Sequence, residues 1–450
     1  MIASIAFRPL ALGILLLAAG GEDTLFDFEK DVAGWEAAPG GKEPPAVVER
    51  AGGGLKVTFA GGTWPTVAST RVPADWTAYK TLTAEVEAPR PCLIGLTAFQ
   101  EKSRRGDGWD DVISRWTATV FLKAGRNSVR VSLEDASGNG YGLNKAKYGA
   151  VTALELFMYA PRPGESLLID DIRVSAERTP KPAPARGFKV LGTDLEVSGV
   201  AELGKLRKDA WTPPADQDVD QAEAAFRAGY EALKKDHPGA VLAVLRDGEP
   251  GPDGKPYAGW ADAHLESHGP DTNLVYRAKK YGGDATGEAF MRHRSMLLRA
   301  DLSAIPAGSA ILAARLLLTR ASKVDGERNP AAAPTQWVAE ACNRPWDERE
   351  VNGYQYAKDK FWRSVGGISA TSYEGEDPDF FPLYLAHGPS QLKVNAWDFR
   401  EAVRWWTDGR RANHGFMLHG DGRDYMMAHC RESADVRSRP ALLVVYVPPK

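Results

Sequence analysis

The chain has 450 residues, of which 43% are hydrophobic and 26% are charged. At roughly 100–200 residues per domain this length predicts two or three domains, and the composition excludes a disordered or collagen-like chain. The formal net charge is −3 and there are only three cysteines, so the chain lacks both the basic footprint of a nucleic-acid-binding protein and the cysteines of a disulfide framework.

Residues 1–20 have the pattern of a signal peptide. Arg8 supplies a positive charge, and the apolar run Leu10–Ala19 is too short to span a bilayer. Ala18 and Gly20 then place small residues before a cleavage site. No later run reaches about 18 apolar residues. The sequence therefore predicts an exported protein without a membrane span, whether secreted, periplasmic or at the cell surface.

Residues 24–176 have the pattern of short strands separated by turns rich in glycine and proline. Apolar and polar residues alternate within the segments, and no long helical pattern interrupts them. This spacing predicts an antiparallel β-sandwich. The predicted strands are Leu25–Glu29, Leu55–Phe59, Leu82–Val86, Cys92–Ala98, Trp116–Leu122, Ser128–Leu133, Leu154–Tyr159 and Leu167–Val174.

Residues 177–239 are predicted to connect two domains. Their first part is a semi-rigid spacer because it holds prolines in close succession, namely Pro180, Pro182 and Pro184. A helix is predicted over 216–235, where Asp218 and Gln221 resemble a capping box. One face of this helix is apolar, so we expect it to pack on the domain that follows.

Residues 240–450 return to the strand pattern. Predicted strands are Ala240–Leu245, Ser295–Asp301, Ile311–Thr319 and Leu442–Val447. The last two are apolar enough for central strands. The predicted fold class is therefore all-β, with two antiparallel β-sandwich (jelly-roll) domains joined by a Pro-rich linker and one helix.

The two ends of the first sandwich resemble those of galactose-binding-like jelly-roll modules, a family of carbohydrate-binding modules. The matching segments are FDFEKDVAGW (Phe26–Trp35) and LLIDDIRV (Leu167–Val174). The resemblance implies that the first and last strands pair, which would bring Glu29 near Asp170 around a structural Ca²⁺. The alternative is that both acids lie at a solvated strand edge, where clustered carboxylates need no cation.

The second sandwich resembles the DNRLRE domain, which is related to a repeat of archaeal disaggregatase. Blocks in the family's order are Asp271–Asn273, Arg294–Leu318, Arg344–Tyr356, Asn395–Gly420 and Cys430–Tyr446. The chain departs from the family pattern at Ala300 and Cys430. The resemblance implies polysaccharide binding, acidic for some members such as those that bind alginate, and a basic groove.

Aromatic and basic side chains are the candidates for sugar binding. Sugar rings stack on indole faces, and Arg binds anionic sugar groups through paired hydrogen bonds. Trp64 lies in a Gly-rich loop, and Trp109 lies in a charged loop with Arg104 and Arg105; core packing is the alternative for each tryptophan. In the second sandwich the basic candidates are Arg292, Arg294 and Arg431.

No catalytic constellation stands out, because the chain has neither a G-x-S-x-G elbow nor a P-loop. The favoured hypothesis is an exported, non-catalytic polysaccharide-binding protein. One alternative is a polysaccharide lyase or hydrolase with its cleft in the second sandwich, for which Tyr425, His429 and Arg431 are candidates. Another is a cell-surface adhesion or structural protein.

The odd number of cysteines leaves at least one free thiol. The sequence allows one disulfide, between Cys342 and Cys430, or three buried reduced thiols.

Overall fold

The computed structural model of the protein describes residues 22–38, 43–100, 115–134, 148–179, 188–190, 196–197, 216–266, 283–284, 286–290, 294–321, 335–362, 379–388, 392–420 and 425–449. Strands dominate these ranges, and nearly all of their pairings are antiparallel. The predicted all-β sandwich class is confirmed.

The first sandwich consists of two facing antiparallel sheets. Its strands are β1 (Glu22–Phe26), β2 (Glu36–Ala37), β3 (Val47–Ala51), β4 (Gly54–Thr58), β5 (Thr66–Ser69), β6 (Thr81–Ala88), β7 (Cys92–Gln100), β8 (Trp116–Leu122), β9 (Gly125–Ser132), β10 (Val151–Met158) and β11 (Ser166–Ser175). One sheet has the order β3-β4-β11-β6-β9 with β1 on β11, and the other has the order β2-β5-β10-β7-β8. The expected pairing of the first and last strands is present, with Phe26 opposite Ile172.

The core of the first sandwich follows from strand alternation. Leu55 and Val57 of β4 point inwards and are fully buried, as are Ile94 and Leu96 of β7 on the facing sheet. Successive side chains of a strand point to opposite faces, so every second residue reaches the shared core. The predicted strands differ from the observed ones by only a few residues at their ends.

The second sandwich is built from a large and a small sheet. Its strands are β12 (Phe188–Val190), β13 (Glu196–Val197), β14 (Val241–Leu245), β15 (Trp260–Glu266), β16 (Thr286–Phe290), β17 (Arg294–Ala300), β18 (Ala310–Thr319), β19 (Thr335–Cys342), β20 (Gln355–Ala357), β21 (Lys360–Phe361), β22 (Phe380–Gly388), β23 (Val394–Asp398), β24 (Phe416–Gly420), β25 (Tyr425–His429) and β26 (Ala441–Val447). The nine-stranded sheet has the order β13-β12-β22-β19-β24-β17-β16-β25 with β15 on β17, and the four-stranded sheet has the order β14-β26-β18-β23. Strands β20 and β21 form a separate hairpin.

In the described part of the chain, two α-helices accompany the second sandwich, α1 (Val219–Asp236) and α2 (Arg400–Thr407). The capping box of α1 is present as predicted, with Asp218 accepting from the Gln221 backbone and the Gln221 side chain accepting from the Asp218 backbone. Ala222 and Phe226 of α1 pack on the outer face of the four-stranded sheet. The helix therefore belongs to the second sandwich, and it begins three residues later than the predicted 216–235.

The predicted connector 177–239 also contributes strands to the second sandwich. Lys189 of β12 lies opposite Tyr384 of β22 in a parallel pair, and β13 pairs with β12. The sequence of this segment favours strands only weakly. It forms strands nevertheless, because the edge of an existing sheet supplies the hydrogen-bonding partners.

Cys92, Cys342 and Cys430 are all free, buried thiols. The structure thus has the second of the two arrangements that the sequence allows. No helix within the described ranges is long and apolar enough to cross a membrane.

Candidate functional site

The second sandwich has a cavity of about 700 Å³ at one end of its large sheet, which we call the Arg299 cavity. Its walls come from the start of β15, the end of β17 with the turn after it, the end of α2 and Arg431, two residues after β25. Side chains that define it are Arg299, Asp301, Glu348, Trp406, Asn413 and Arg431. These residues come from four of the five sequence blocks recognised in this domain, so blocks far apart in sequence meet at one cavity.

Arg299 is the most unusual group in this cavity. Its guanidinium carbon lies 5.3 Å from the ring centre of Trp346, close enough for a cation–π contact. The indole N–H of Trp346 donates to the carbonyl of His414 at 2.8 Å, which holds the ring in place. Among the described residues no hydrogen bond or ion pair of the Arg299 side chain is present, although its charge acts to lower the pKa values of Glu348 and His414. The side chain is half-buried and lines the cavity.

Arg431, which the sequence analysis selected, also lines the cavity but is held from several sides. Its Nη1 donates to the Trp260 carbonyl at 2.7 Å, and its Nε lies 2.7 Å from Glu432 and 3.1 Å from Glu348. A third acid, Asp247, lies 4.0 Å away. Arg431 is therefore a fixed cation whose charge is largely balanced by the protein.

A carboxylate cluster lies behind Arg431 and consists of Asp262, Glu348 and Glu432. One oxygen of each lies within 4.8 Å of the others. Asp262 is buried and accepts the backbone N–H of Arg431 at 2.8 Å. Burial, together with the nearby Glu432 carboxylate, raises the pKa of Asp262 to about 7. Burial likewise raises the pKa of Glu348. Like charges this close favour a shared proton or a hard cation.

The thiol of Cys430 lies next to this carboxylate cluster. It donates a hydrogen bond to Asp262, and burial together with the adjacent carboxylates raises the pKa of the thiol well above its usual value. Cys430 is therefore a neutral donor to a buried carboxyl group. This contact gives a physical role to the cysteine at which the chain departs from the DNRLRE pattern.

The turn after β17 forms part of the rim of the cavity. The Asp301 carboxylate accepts the Ser303 backbone N–H at 2.9 Å and the Ser303 hydroxyl at 2.8 Å. The hydroxyl of Tyr257 donates to the Asp301 carbonyl at 2.9 Å. These bonds fix the turn at the cavity rim.

The two sandwiches meet at an aromatic junction formed by Leu93, Phe157, Tyr159, Tyr354 and Phe361. The first three come from the outer face of the β2-β5-β10-β7-β8 sheet, and the last two flank the β20–β21 hairpin. Trp64 is partly buried against this cluster. Part of the Trp64 side chain is thus used in packing, and its role in sugar binding stays a prediction.

Several predicted site residues, or their side chains, lie outside the part of the chain that the structure describes. Trp109, Arg104, Arg105 and Arg292 lie outside the described residues, and Arg294 is described only as part of the β17 backbone. Their proposed roles in sugar binding stay predictions. The same holds for Tyr425, whose side chain lies outside the described set.

The proposed calcium ligands Glu29 and Asp170 have the following surroundings. The β1–β11 pairing ends at Phe26, before Glu29 is reached. Glu29 is exposed, with an oxygen 4.0 Å from Arg50, and Asp170 lies opposite Glu85 of β6. An arginine beside Glu29 already offsets its charge, and a calcium ion at this pair stays a prediction.

The sequence analysis did not select Arg299 or Trp406. The alternation of residues in β17 could have identified Arg299. Met296 and Leu298 face the sandwich core, so Arg299 must face the other way. Trp406 packs partly against the core and also lines the cavity. Its place at the end of an eight-residue helix gives no sign of this from sequence.

No family model and no curated protein matches the chain. Among solved structures, the family 11 carbohydrate-binding module from Clostridium thermocellum in complex with a beta-1,3-1,4-mixed-linked tetrasaccharide is 19% identical, with 35% of this chain and 96% of that chain covered and a TM-score of 0.27. A variant of a family 29 carbohydrate-binding module complexed with mannohexaose is 10% identical, with 36% and 95% covered and a TM-score of 0.25. The DNRLRE resemblance has no counterpart in these comparisons and stays a prediction.

Proposed function

We propose that the protein is an exported, non-catalytic polysaccharide-binding protein whose main binding site is the Arg299 cavity. The observation that carries the proposal is the half-buried Arg299 guanidinium, which stacks on Trp346 and has no acceptor among the described residues. The Arg299 side chain is partly exposed at the cavity, so a ligand there can provide hydrogen-bond acceptors for its N–H groups. The oxygen atoms of a sugar supply such acceptors.

The composition of the cavity suits a sugar ring. Trp406 offers an indole surface, and its buried N–H has no acceptor among the residues that the structure describes. Asp301 and Asn413 add polar groups at the rim. Sugar sites combine an aromatic surface for C–H faces with a few polar groups that recognise hydroxyls.

An acidic polysaccharide fits best. Arg431 forms ion pairs with Glu348 and Glu432, whereas Arg299 forms no ion pair with a described acid and acts on Glu348 only from a longer distance. A guanidinium binds a carboxylate through two parallel N–H···O bonds. Arg299 is therefore the proposed partner of a uronate carboxylate, while Arg431 shapes the wall beside it.

The first sandwich is proposed to extend the binding surface. Its loop with Arg104, Arg105 and Trp109 would contact the same chain, and the aromatic junction holds the two sandwiches together. Binding by two linked sites increases affinity only when both reach one ligand. The leader at residues 1–20 is the basis for proposing export.

The test is affinity electrophoresis in gels with alginate, polygalacturonate or a neutral β-glucan, with product formation assayed in the same samples. We expect retardation in the acidic gels and no products. Trp406→Ala should remove most of the retardation, whereas the control Arg126→Gln, an exposed residue of β9 that pairs with Glu85, should not. Lack of retardation in every gel contradicts binding, and growing absorbance from unsaturated products identifies a lyase instead.

A further inference from the structure

The carboxylate cluster of Asp262, Glu348 and Glu432 is joined directly to the wall of the Arg299 cavity. Glu348 and Arg431 line the cavity, whereas Asp262 and Glu432 are not among its lining residues. The backbone N–H of Asp262 donates to Glu348 at 2.9 Å, and the Asp262 carboxylate accepts the backbone N–H of Arg431 at 2.8 Å. A change in the charge of the cluster therefore changes the electrostatic potential at the cavity wall.

The carboxylates around the cavity outnumber the guanidinium groups. The lining has two groups of each kind, which belong to Arg299, Arg431, Asp301 and Glu348. Asp262 and Glu432 add two further carboxylates next to the wall. With all of these acids ionised, the site would carry a net negative charge and would repel a uronate carboxylate.

A proton bound to the cluster reduces this repulsion. Burial, together with the Glu432 carboxylate, raises the pKa of Asp262 to about 7, and burial raises the pKa of Glu348. A metal ion suits the cluster less well than a proton, because the Nε of Arg431 already lies 3.1 Å from Glu348 and 2.7 Å from Glu432. The guanidinium would repel a second cation at this distance.

Other titratable and charged groups face the cluster from each element around it. They are His264 on β15, Asp284 before β16, Arg299 on β17, Asp247 after β14 and Cys430 after β25. Burial raises the pKa of the Cys430 thiol well above its usual value, so the thiol adds no charge. Asp284 and Asp247 add acids, and Arg439 acts on Asp247 in the opposite direction. The excess of acids favours a retained proton.

We propose that the Arg299 cavity takes up a proton when it binds an acidic sugar, with the carboxylate cluster beside Arg431 as the proton acceptor. This inference rests on the proposed function, since it concerns the same cavity and the same class of ligand. The ligand carboxylate stabilises the protonated cluster, so up to one proton per ligand passes from solvent to a carboxylate oxygen. The protein would thus hold an acidic polysaccharide in mildly acidic surroundings and release it as the pH rises.

The affinity for the acidic sugar should depend on pH in one direction. Below about pH 6 the cluster is protonated with and without ligand, so the affinity should be constant there. The free protein loses the proton near the pKa of Asp262, about 7, whereas the complex keeps it to a higher pH. The affinity should therefore fall as the pH rises above about 7, until the cluster of the complex also loses its proton.

The experiment is calorimetry of the mature full chain with trigalacturonate in metal-depleted HEPES and Tris, two buffers whose heats of ionisation differ. The difference between the two binding heats gives the number of protons taken up. Near pH 7.5 we expect uptake of about half a proton or more per ligand. The affinity at about pH 8.5 should be at least about fivefold weaker than at about pH 6.5.

Asp262→Asn separates the proton uptake from ligand binding. The amide keeps an acceptor for the Arg431 backbone N–H but binds no proton, so the affinity should stay high at about pH 8.5 and the uptake should be lost or much reduced. Asp253→Asn, at an exposed turn, is the control and should behave as wild type.

The outcomes distinguish this inference from the proposed function. Saturable binding of trigalacturonate without proton uptake, or with an affinity independent of pH, would overturn the linkage and leave the proposed function intact. Proton uptake by Asp262→Asn equal to that of wild type would overturn the role of the cluster. No binding at any pH would contradict both the proposed function and the inference that rests on it.

Discussion

Tyr159 of the first sandwich stacks on Tyr354 of the second, with ring centroids 4.1 Å apart and an angle of 26° between the ring planes. Phe361 packs edge-on against the same Tyr159 ring at 6.0 Å, and Arg162 forms an ion pair with Asp359 at 3.7 Å. Tyr354 is fully buried. The contact couples the folding of the two sandwiches.

Tyr354→Ala should uncouple the sandwiches. Loss of a fully buried aromatic ring costs about 3–5 kcal/mol, and here the loss falls on the contact between the domains. We expect one cooperative unfolding transition in wild type and two in the variant, measured by calorimetry. Tyr354→Phe keeps the ring and should retain the single transition. Two transitions in wild type, or one in Tyr354→Ala, would contradict the coupling.

Stability should depend on pH through Asp262. The pKa of Asp262 is raised from 3.8 to about 7 in the folded chain, so the folded protein keeps a proton that the unfolded chain releases between these values. The free energy of unfolding should therefore fall as the pH rises from about 4 to about 7 and then level off. Urea unfolding at several pH values measures this slope.

Asp262→Asn should remove that slope. The amide keeps the acceptor for the Arg431 backbone N–H and carries no charge, so the free energy of unfolding at pH 8 should rise by on the order of 1–4 kcal/mol. Asp253→Asn, at an exposed turn, is the matched control and should follow the wild-type curve. An unchanged slope in Asp262→Asn would mean that another group binds the proton.

Arg431→Gln should destabilise the fold by removing the cation next to Asp262, Glu348 and Glu432. We expect a loss of about 2 kcal/mol, less than for a fully buried pair because Arg431 is partly exposed. Adding Glu348→Gln should restore part of the stability, since fewer carboxylates then lack a partner. A double variant that loses the sum of the two single effects would show that the groups act independently.

Asp218→Ala should destabilise α1 by about 1 kcal/mol, because the capping bonds with Gln221 are lost. Asp218→Asn retains an acceptor and should recover most of this loss. Chemical unfolding followed by circular dichroism measures both variants. Equal stability of wild type and Asp218→Ala would contradict a role for the capping box.

The strands and α1 were predictable from sequence because their signals are local. The alternation in Leu55–Phe59 and the pair Asp218 and Gln221 depend on neighbours only a few residues away. The Arg299 cavity was not predictable, since Glu348, Trp406 and Arg431 meet only after the sheets have formed. The packing of Trp64 depends likewise on Tyr354 and Phe361, which belong to the other sandwich.

The affinity of Arg299→Gln for an acidic oligosaccharide, measured by calorimetry beside wild type, tests the proposed function most directly. Glutamine keeps a polar group of similar reach but removes the charge and the paired donors. We expect binding to weaken at least tenfold, corresponding to about 1.4 kcal/mol or more, with a neutral oligosaccharide affected little and Arg126→Gln unchanged. Equal affinity of Arg299→Gln and wild type for the acidic oligosaccharide would contradict the assignment of the cavity as its binding site.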